Sequence, residues 1–143
     1  MIRTLGLDVG DRTIGVALSD PLGFSAQRLA RLSRKNEAAD VDAIAALVAR
    51  HDVDTLVVGL PLMMSGKPGT QAVKVRAFAA ALTRKLGLPV EFVDERLTTV
   101  AGTRALLETN TSRRKRKQVI DQVAAQLILQ QYLDRGRDSA ASS

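Results

Sequence analysis

Three acidic residues stand where a site could use them: Asp8, Glu95 and Asp121. Asp8 lies inside RTLGLDVG (3–10), where Leu5, Leu7 and Val9 alternate with Gly6, Asp8 and Gly10. An ionised carboxylate on such a face costs free energy unless it is paired or bound to a metal. The neighbouring Gly6, Gly10 and Gly15 leave room for something bulky to approach. The plain alternative is the polar face of an edge strand that meets water. Glu95 follows the segment PVEFVD (89–94), and open α/β sheets place ligands at the carboxyl ends of their strands. Its plain alternative is an acid before a helix, answering the dipole together with Asp94. Asp121 falls early in the last apolar-periodic segment, four residues before Ala125, with Ala124 also on its side. It could equally answer that helix's dipole or pair with Lys117.

Taken together, the three acids are more specific. The chain has no cysteine and one histidine, so multi-histidine and thiolate metal sites, disulfides and a cysteine nucleophile are excluded. Hard oxygen donors without nitrogen or sulfur suit Mg²⁺ or Mn²⁺. Two such ions about 3.5–4 Å apart can clamp the attacking water and the leaving oxygen of a phosphodiester. Shortly before Asp121 comes the run Arg113-Arg114-Lys115-Arg116-Lys117. Acids at a centre and cations at its rim suit an enzyme that handles a polyanion. Arg12, Arg96 and Lys67 form a second set of candidate phosphate contacts, and His51 is given no role.

These residues need a scaffold. Period-two alternation predicts strands over 3–10 and 14–19, joined by a turn at Gly10-Asp11-Arg12, with a weaker strand near 27–32. A helix is predicted over 37–50, a buried strand over 54–59, and a Pro- and Gly-containing loop over 60–70. Thr70 is placed to cap a helix ending at Gly87, and a strand follows at 89–94. Thr98 or Thr99 would cap a short helix to about Glu108. Residues 110–117 read as a basic loop or frayed helix start, and 118–133 as the last helix. The expected order, βββαβαβαα, predicts an α/β domain. It has a five-stranded mixed sheet, three strands antiparallel and then parallel βα units, with helices on both faces. Residues 1–135 would form the domain and 136–143 a flexible tail.

Length and composition agree with one soluble domain: 143 residues, 45% hydrophobic and 25% charged. The formal charge is +6, most of it in the 113–117 run, which points to an anionic polymer rather than a generally sticky surface. With no Trp, one Tyr and three Phe, base-stacking platforms are not expected. No apolar run approaches the roughly 20 residues of a membrane span. The start of the chain carries no signal-peptide pattern, so the cytoplasm is the expected compartment.

Four blocks also carry a family resemblance: GLDVGDRTIGVALSD (6–20), VVGLPLMMSG (57–66), DERLTT (94–99) and D-x-x-A-A-x-x-I-L-Q (121–130). In this order they resemble the YqgF/RuvX family, bacterial proteins of RNase H-like fold related to the RuvC Holliday-junction resolvases. The resemblance runs from Leu5 to about Leu133. It implies a nuclease that trims the 5′ end of pre-16S ribosomal RNA, with a Holliday-junction or other DNA nuclease role as the alternative. By position, Asp8 matches the first-strand acid, Glu95 the acid of the DER motif with Asp94 as runner-up, and Asp121 the acid of the final helix. Arg12 and Arg96 match the family's arginines. Asp8 would bridge two Mg²⁺ or Mn²⁺ ions, with Glu95 and Asp121 completing one each. Arg12, Arg96, Arg113, Arg114, Lys115 and Lys117 would hold the nucleic-acid backbone of RNA or of branched or single-stranded DNA. The protein would be a monomer or a homodimer. Two rivals come from other classes. One is a nucleotide-binding phosphotransferase, since the first block also resembles the phosphate hairpin of actin-like and sugar-kinase ATPases. The other is a non-catalytic RNA-binding ribosome assembly factor.

Overall fold

The computed structural model describes residues 3–63, 65–97 and 113–142, with backbone placement alone for 97, 113–121 and 137–142. Strands β1 (Arg3–Val9), β2 (Thr13–Ser19) and β3 (Ala26–Ser33) open the chain. Helix α1 (Glu37–His51), strand β4 (Val53–Leu60), helix α2 (Thr70–Leu86) and strand β5 (Val90–Asp94) follow. A single 3-10 turn (Glu95–Leu97) and helix α3 (Arg113–Ser142) complete the described elements.

The five strands form one sheet in the order β3-β2-β1-β4-β5. β1 pairs antiparallel with β2, and β2 with β3; β1 pairs parallel with β4, and β4 with β5. The mixed α/β sheet expected from the strand pattern is therefore present, with helices on both faces. Strand alternation decides what each face buries. Leu5, Leu7, Ile14, Val16, Leu56 and Val58 point to one side, where they meet Val41 and Ile44 of α1 and Val75, Phe78 and Leu82 of α2. The opposite face carries Ala17, Val57 and Val93 against Ala124, Ala125, Ile128 and Leu129 of α3. Being central, β1 and β4 are buried on both sides.

Small residues let α3 lie close to the sheet. A Cβ placed on Gly6 would stand 2.7 Å from Leu129 Cβ and 3.2 Å from the Ala125 carbonyl oxygen. No larger residue fits there without lifting the helix. β3 contains an irregularity of a different kind. Val16 pairs with Ala30 and Ala17 with Arg28, so Leu29 is an extra residue in the strand. This bulge returns Arg31, the partner of Gly15, to the α3 side.

Helix ends differ in part from the sequence expectation. Asn36 caps α1 through its side chain, accepting from the Ala39 N–H at 2.9 Å. Thr70 is the first residue of α2 rather than its cap; Gly69 occupies the cap position without a side-chain bond. The left-handed Gly87 (φ 66°) closes α2 as expected. The last helix begins at Arg113 and runs through Gly136 to Ser142, so helical backbone continues into the segment expected as a tail. One glycine costs only about 1 kcal/mol against Ala, too little to stop a helix already propagating. The basic run correspondingly occupies the first turns of α3, so of the loop and helix-start readings the backbone takes the helical one. The short helix expected after Thr98 or Thr99 lies outside the described residues. Among those described, no helix is long and apolar enough to cross a membrane.

The contact at Gly6 gives a direct check on this packing. Gly6→Ala should lower stability by about 1–3 kcal/mol, the usual cost of forcing a methyl into a filled interface. Urea unfolding monitored by circular dichroism reads it; an unchanged midpoint would mean that α3 does not rest on β1 as described.

Candidate active site

Asp8 sits on the α3 side of β1, two residues beyond Gly6, and is 6% exposed. Its cross-strand partner is Gly15, so no side chain stands beside it on β2. β4 contributes Gly59 at the matching level. A Cβ on Gly59 would run into Ile128 Cδ1 and would lie 2.8 Å from Glu95 Oε1. The Glu95 carboxylate thus reaches back over β4 from the end of β5. Asp8 and Glu95 line one pocket of about 430 Å³, together with Arg12, Arg31, Pro61 and Gln71. The pocket opens where β1, β4 and β5 end, as expected of an open α/β sheet.

Strand parity separates Glu95 from Asp94. Val93 belongs to the α3 face. Asp94 therefore turns to the other face, alongside Leu60. There Arg96 grips it, with Nη2 2.7 Å and Nε 3.1 Å from Oδ2. The Arg96 backbone N–H donates to Asp94 Oδ1 at 3.0 Å. The Arg96 side-chain hydrogen bond holds the Asp94 carboxyl below its ordinary range, with the backbone bond and the guanidinium charge adding to it. Arg96 also underlies the 62–68 loop: its Nη1 is 3.4 Å from where a Cβ on Gly66 would be. Arg96 thus grips a neighbouring acid and lies beside the turn at Gly66.

The turn carrying Arg12 is held from below. The Gly10 N–H donates to the Thr13 carbonyl at 2.9 Å, and the Arg34 N–H to the Arg12 carbonyl at 2.8 Å. The Arg34 guanidinium donates to the Gly10 carbonyl (2.9 Å) and to Asp40 Oδ2 (3.1 Å). It also lies 4.9 Å above the Phe78 ring. Asp40 is buried and takes the Lys35 N–H as well (3.0 Å), so its charge is compensated. On the α2 side, Gln71 Nε2 donates to the Val9 carbonyl at 3.4 Å.

Asp121 lies in α3 one turn before Ala125, the residue whose carbonyl touches the Gly6 position. The Asp121 side chain, like those of Arg113, Arg114, Lys115 and Lys117, is outside the described residues. Among the described residues no three His, Cys, Asp or Glu side chains are grouped to hold a metal; Asp8 and Glu95 supply two. Lys67 is exposed in the 61–69 loop and does not line the pocket, and His51 ends α1. Arg31 and Gln71 line the pocket without having been anticipated. Arg31 arrives there through the bulge, which periodicity cannot show. Gln71 had a visible clue only in its place at the start of α2.

The donor set fits a hard divalent cation. A buried carboxylate on a surface cleared by glycines and a second carboxylate in the same cavity offer oxygen alone.

Comparison with known proteins places the chain among its relatives. The family described as RuvX, Holliday junction resolvase, matches residues 2–135. A Moorella thermoacetica protein named "Putative pre-16S rRNA nuclease" is 62% identical, over 94% of this chain and 96% of its own. A Clostridium botulinum protein of the same name is 52% identical, over 93% and 97% respectively. Among solved structures, Thermus thermophilus RuvC in complex with a Holliday junction superposes with a TM-score of 0.59, at 12% identity, over 95% of this chain and 97% of that one. The fowlpox virus Holliday junction resolvase gives 0.52 at 11% identity, over 93% and 98%. The expected RNase H-like fold is the one these resolvases share with the chain.

The Asp94–Arg96 pair makes a pH-dependent prediction. Its folded-state carboxyl titrates below the ordinary value of 3.8. The pair's stabilisation is therefore present above that value and is lost as pH falls through the lowered one. The stability gap between the wild type and Arg96→Ala should be constant near neutrality and should shrink only at the acid end. Urea midpoints measured from about pH 7 to about pH 2, spanning the carboxylate range, read it. A gap independent of pH would mean the pair is not formed.

Proposed function

The chain belongs to the RuvX family, and from that premise we propose that it is a divalent-metal-dependent nuclease that matures the 5′ end of pre-16S ribosomal RNA in the cytoplasm. The observation that carries this reading is the pairing of buried Asp8 with Glu95 in one open pocket at the strand ends. The names of relatives that match over nearly their whole length supply the substrate.

Asp8, Glu95 and Asp121 would hold Mg²⁺ or Mn²⁺, two ions if all three converge. Bound there, the metal would lower the pKa of water and neutralise charge on the phosphate. The rest falls to the chain. The backbone of Asp8 is held by β1, which is paired with strands on both sides. Glu95 reaches the same space only because Gly59 has no side chain to block it. Arg12, on a turn anchored by Arg34, is set at the pocket to meet phosphate. The cations of the 113–117 run would draw the polyanion from further away.

A resolvase acting on Holliday junctions is the second reading, favoured by the family description and the RuvC-like fold. It would need two sites related by a two-fold axis, hence a homodimer. An assembly factor that merely binds RNA would have no use for two carboxylates sharing a cavity.

Asp8→Asn removes the charge with little change of shape. With pre-16S RNA and Mg²⁺ or Mn²⁺, this variant should lose cleavage while binding RNA about as well as the wild type. Neutralising Arg113, Arg114 and Lys115 together should do the reverse, weakening binding and flattening its salt dependence. Cleavage that survives Asp8→Asn would refute the site. Four-way junctions cut in preference to RNA would transfer the assignment to the second reading.

A further inference from the structure

β3 is an edge strand, and its bulge sets Arg31 opposite Gly15, which in turn faces Asp8. Arg31, Gly15 and Asp8 thus form one row across the sheet, on the α3 side. Adjacent strands lie about 4.8 Å apart, so the Arg31 backbone stands about 10 Å from that of Asp8. The residue between them has no side chain. Arg31 lines the acidic pocket, and it also lines a second cavity of about 310 Å³ between β3 and α1, with Ser33, Lys35, Ala39 and Asp40. One arginine is therefore the shared wall of two adjoining cavities. The first holds Asp8 and Glu95; the second is bordered by the exposed Lys35 and by buried Asp40, whose charge Arg34 answers.

A polyanion brought to Asp8 and Glu95 meets repulsion there, so its flanking phosphates need cations beside the acids. Arg12 supplies one at the turn. Resting on the nuclease reading, we infer that the single strand leaves the pocket across Gly15, with Arg31 taking the phosphate next to the one being cut. Lys35 takes a further phosphate around the edge of β3. The route uses residues of β3 and the segment after it, whereas the 113–117 run opens α3. The competing role for Arg31 is to balance the charge of the pocket acids. That role would affect folding stability but would release no additional counterions from RNA.

Salt dependence separates the two roles. Binding of a fluorescent single-stranded RNA, in EDTA and from about 50 to 200 mM salt, gives the slope of log affinity against log salt. R31Q and K35Q should each make that slope shallower by about 0.7, and the double variant by about 1.4, the value for one and two single-strand phosphates. R31K keeps the charge and should keep the wild-type slope. Arg28 lies on the same face of β3, exposed, and lines neither cavity, so R28Q should leave the slope alone. A wild-type slope in R31Q, even with a lowered melting temperature, overturns the route, and so does an equal fall in R28Q. If either happens while the wild type still binds and cuts RNA, the nuclease reading stands and the route alone fails. If the wild type binds no RNA, both fail.

Discussion

A carboxylate held inside a protein is expensive, by several kcal/mol after relaxation, and the structure is arranged around one. Asp8 is on a central strand and buried. Everything near it is small or directed toward it. Gly15 clears β2, Gly59 clears β4, and Gly6 admits α3 close to the sheet. The same substitutions that would improve an ordinary sheet, larger apolar residues on its α3 face, would fill the cavity or lift the helix. The face trades packing for a place where Asp8 and Glu95 can meet an outside group.

The second constraint is the β1–β2 turn. It projects Arg12 at the pocket, and loops that carry function need rigid support. Support comes from Arg34, whose guanidinium joins the Gly10 carbonyl, buried Asp40 and the Phe78 ring in one cluster. This links the turn to α1 and α2, which pack on the opposite face of the sheet from α3. The rim of the site is thus tied to the core behind it.

Much of this was legible in the amino-acid sequence. Alternation in 3–10 and 14–19 locates both strands, and the glycines beside Asp8 mark its face as cleared. Other features depended on register. The sequence favours Glu95 with Asp94 as runner-up, but only the fold shows why they differ: the pairing of β5 turns Asp94 away from α3, while the Glu95 carboxylate reaches the α3 side beside Gly59. Arg31 was hidden by the bulge at Leu29, because without that extra residue it would fall on the other face. Arg34 and Asp40 carry no signal in the sequence; their partnership exists only once α1 folds back beside the turn. The extended α3 reflects cooperativity, which lets a helix cross Gly136 where local propensity alone would end it.

The central claim is that Asp8 and Glu95 together hold the ion that activates cleavage. Anomalous diffraction from crystals soaked in Mn²⁺ tests it without depending on any chosen substrate. The account predicts Mn²⁺ in the pocket within ligand distance, about 2.0–2.3 Å, of carboxylate oxygens from both residues. Mn²⁺ bound only elsewhere, or a pocket left vacant at saturating metal, would contradict it.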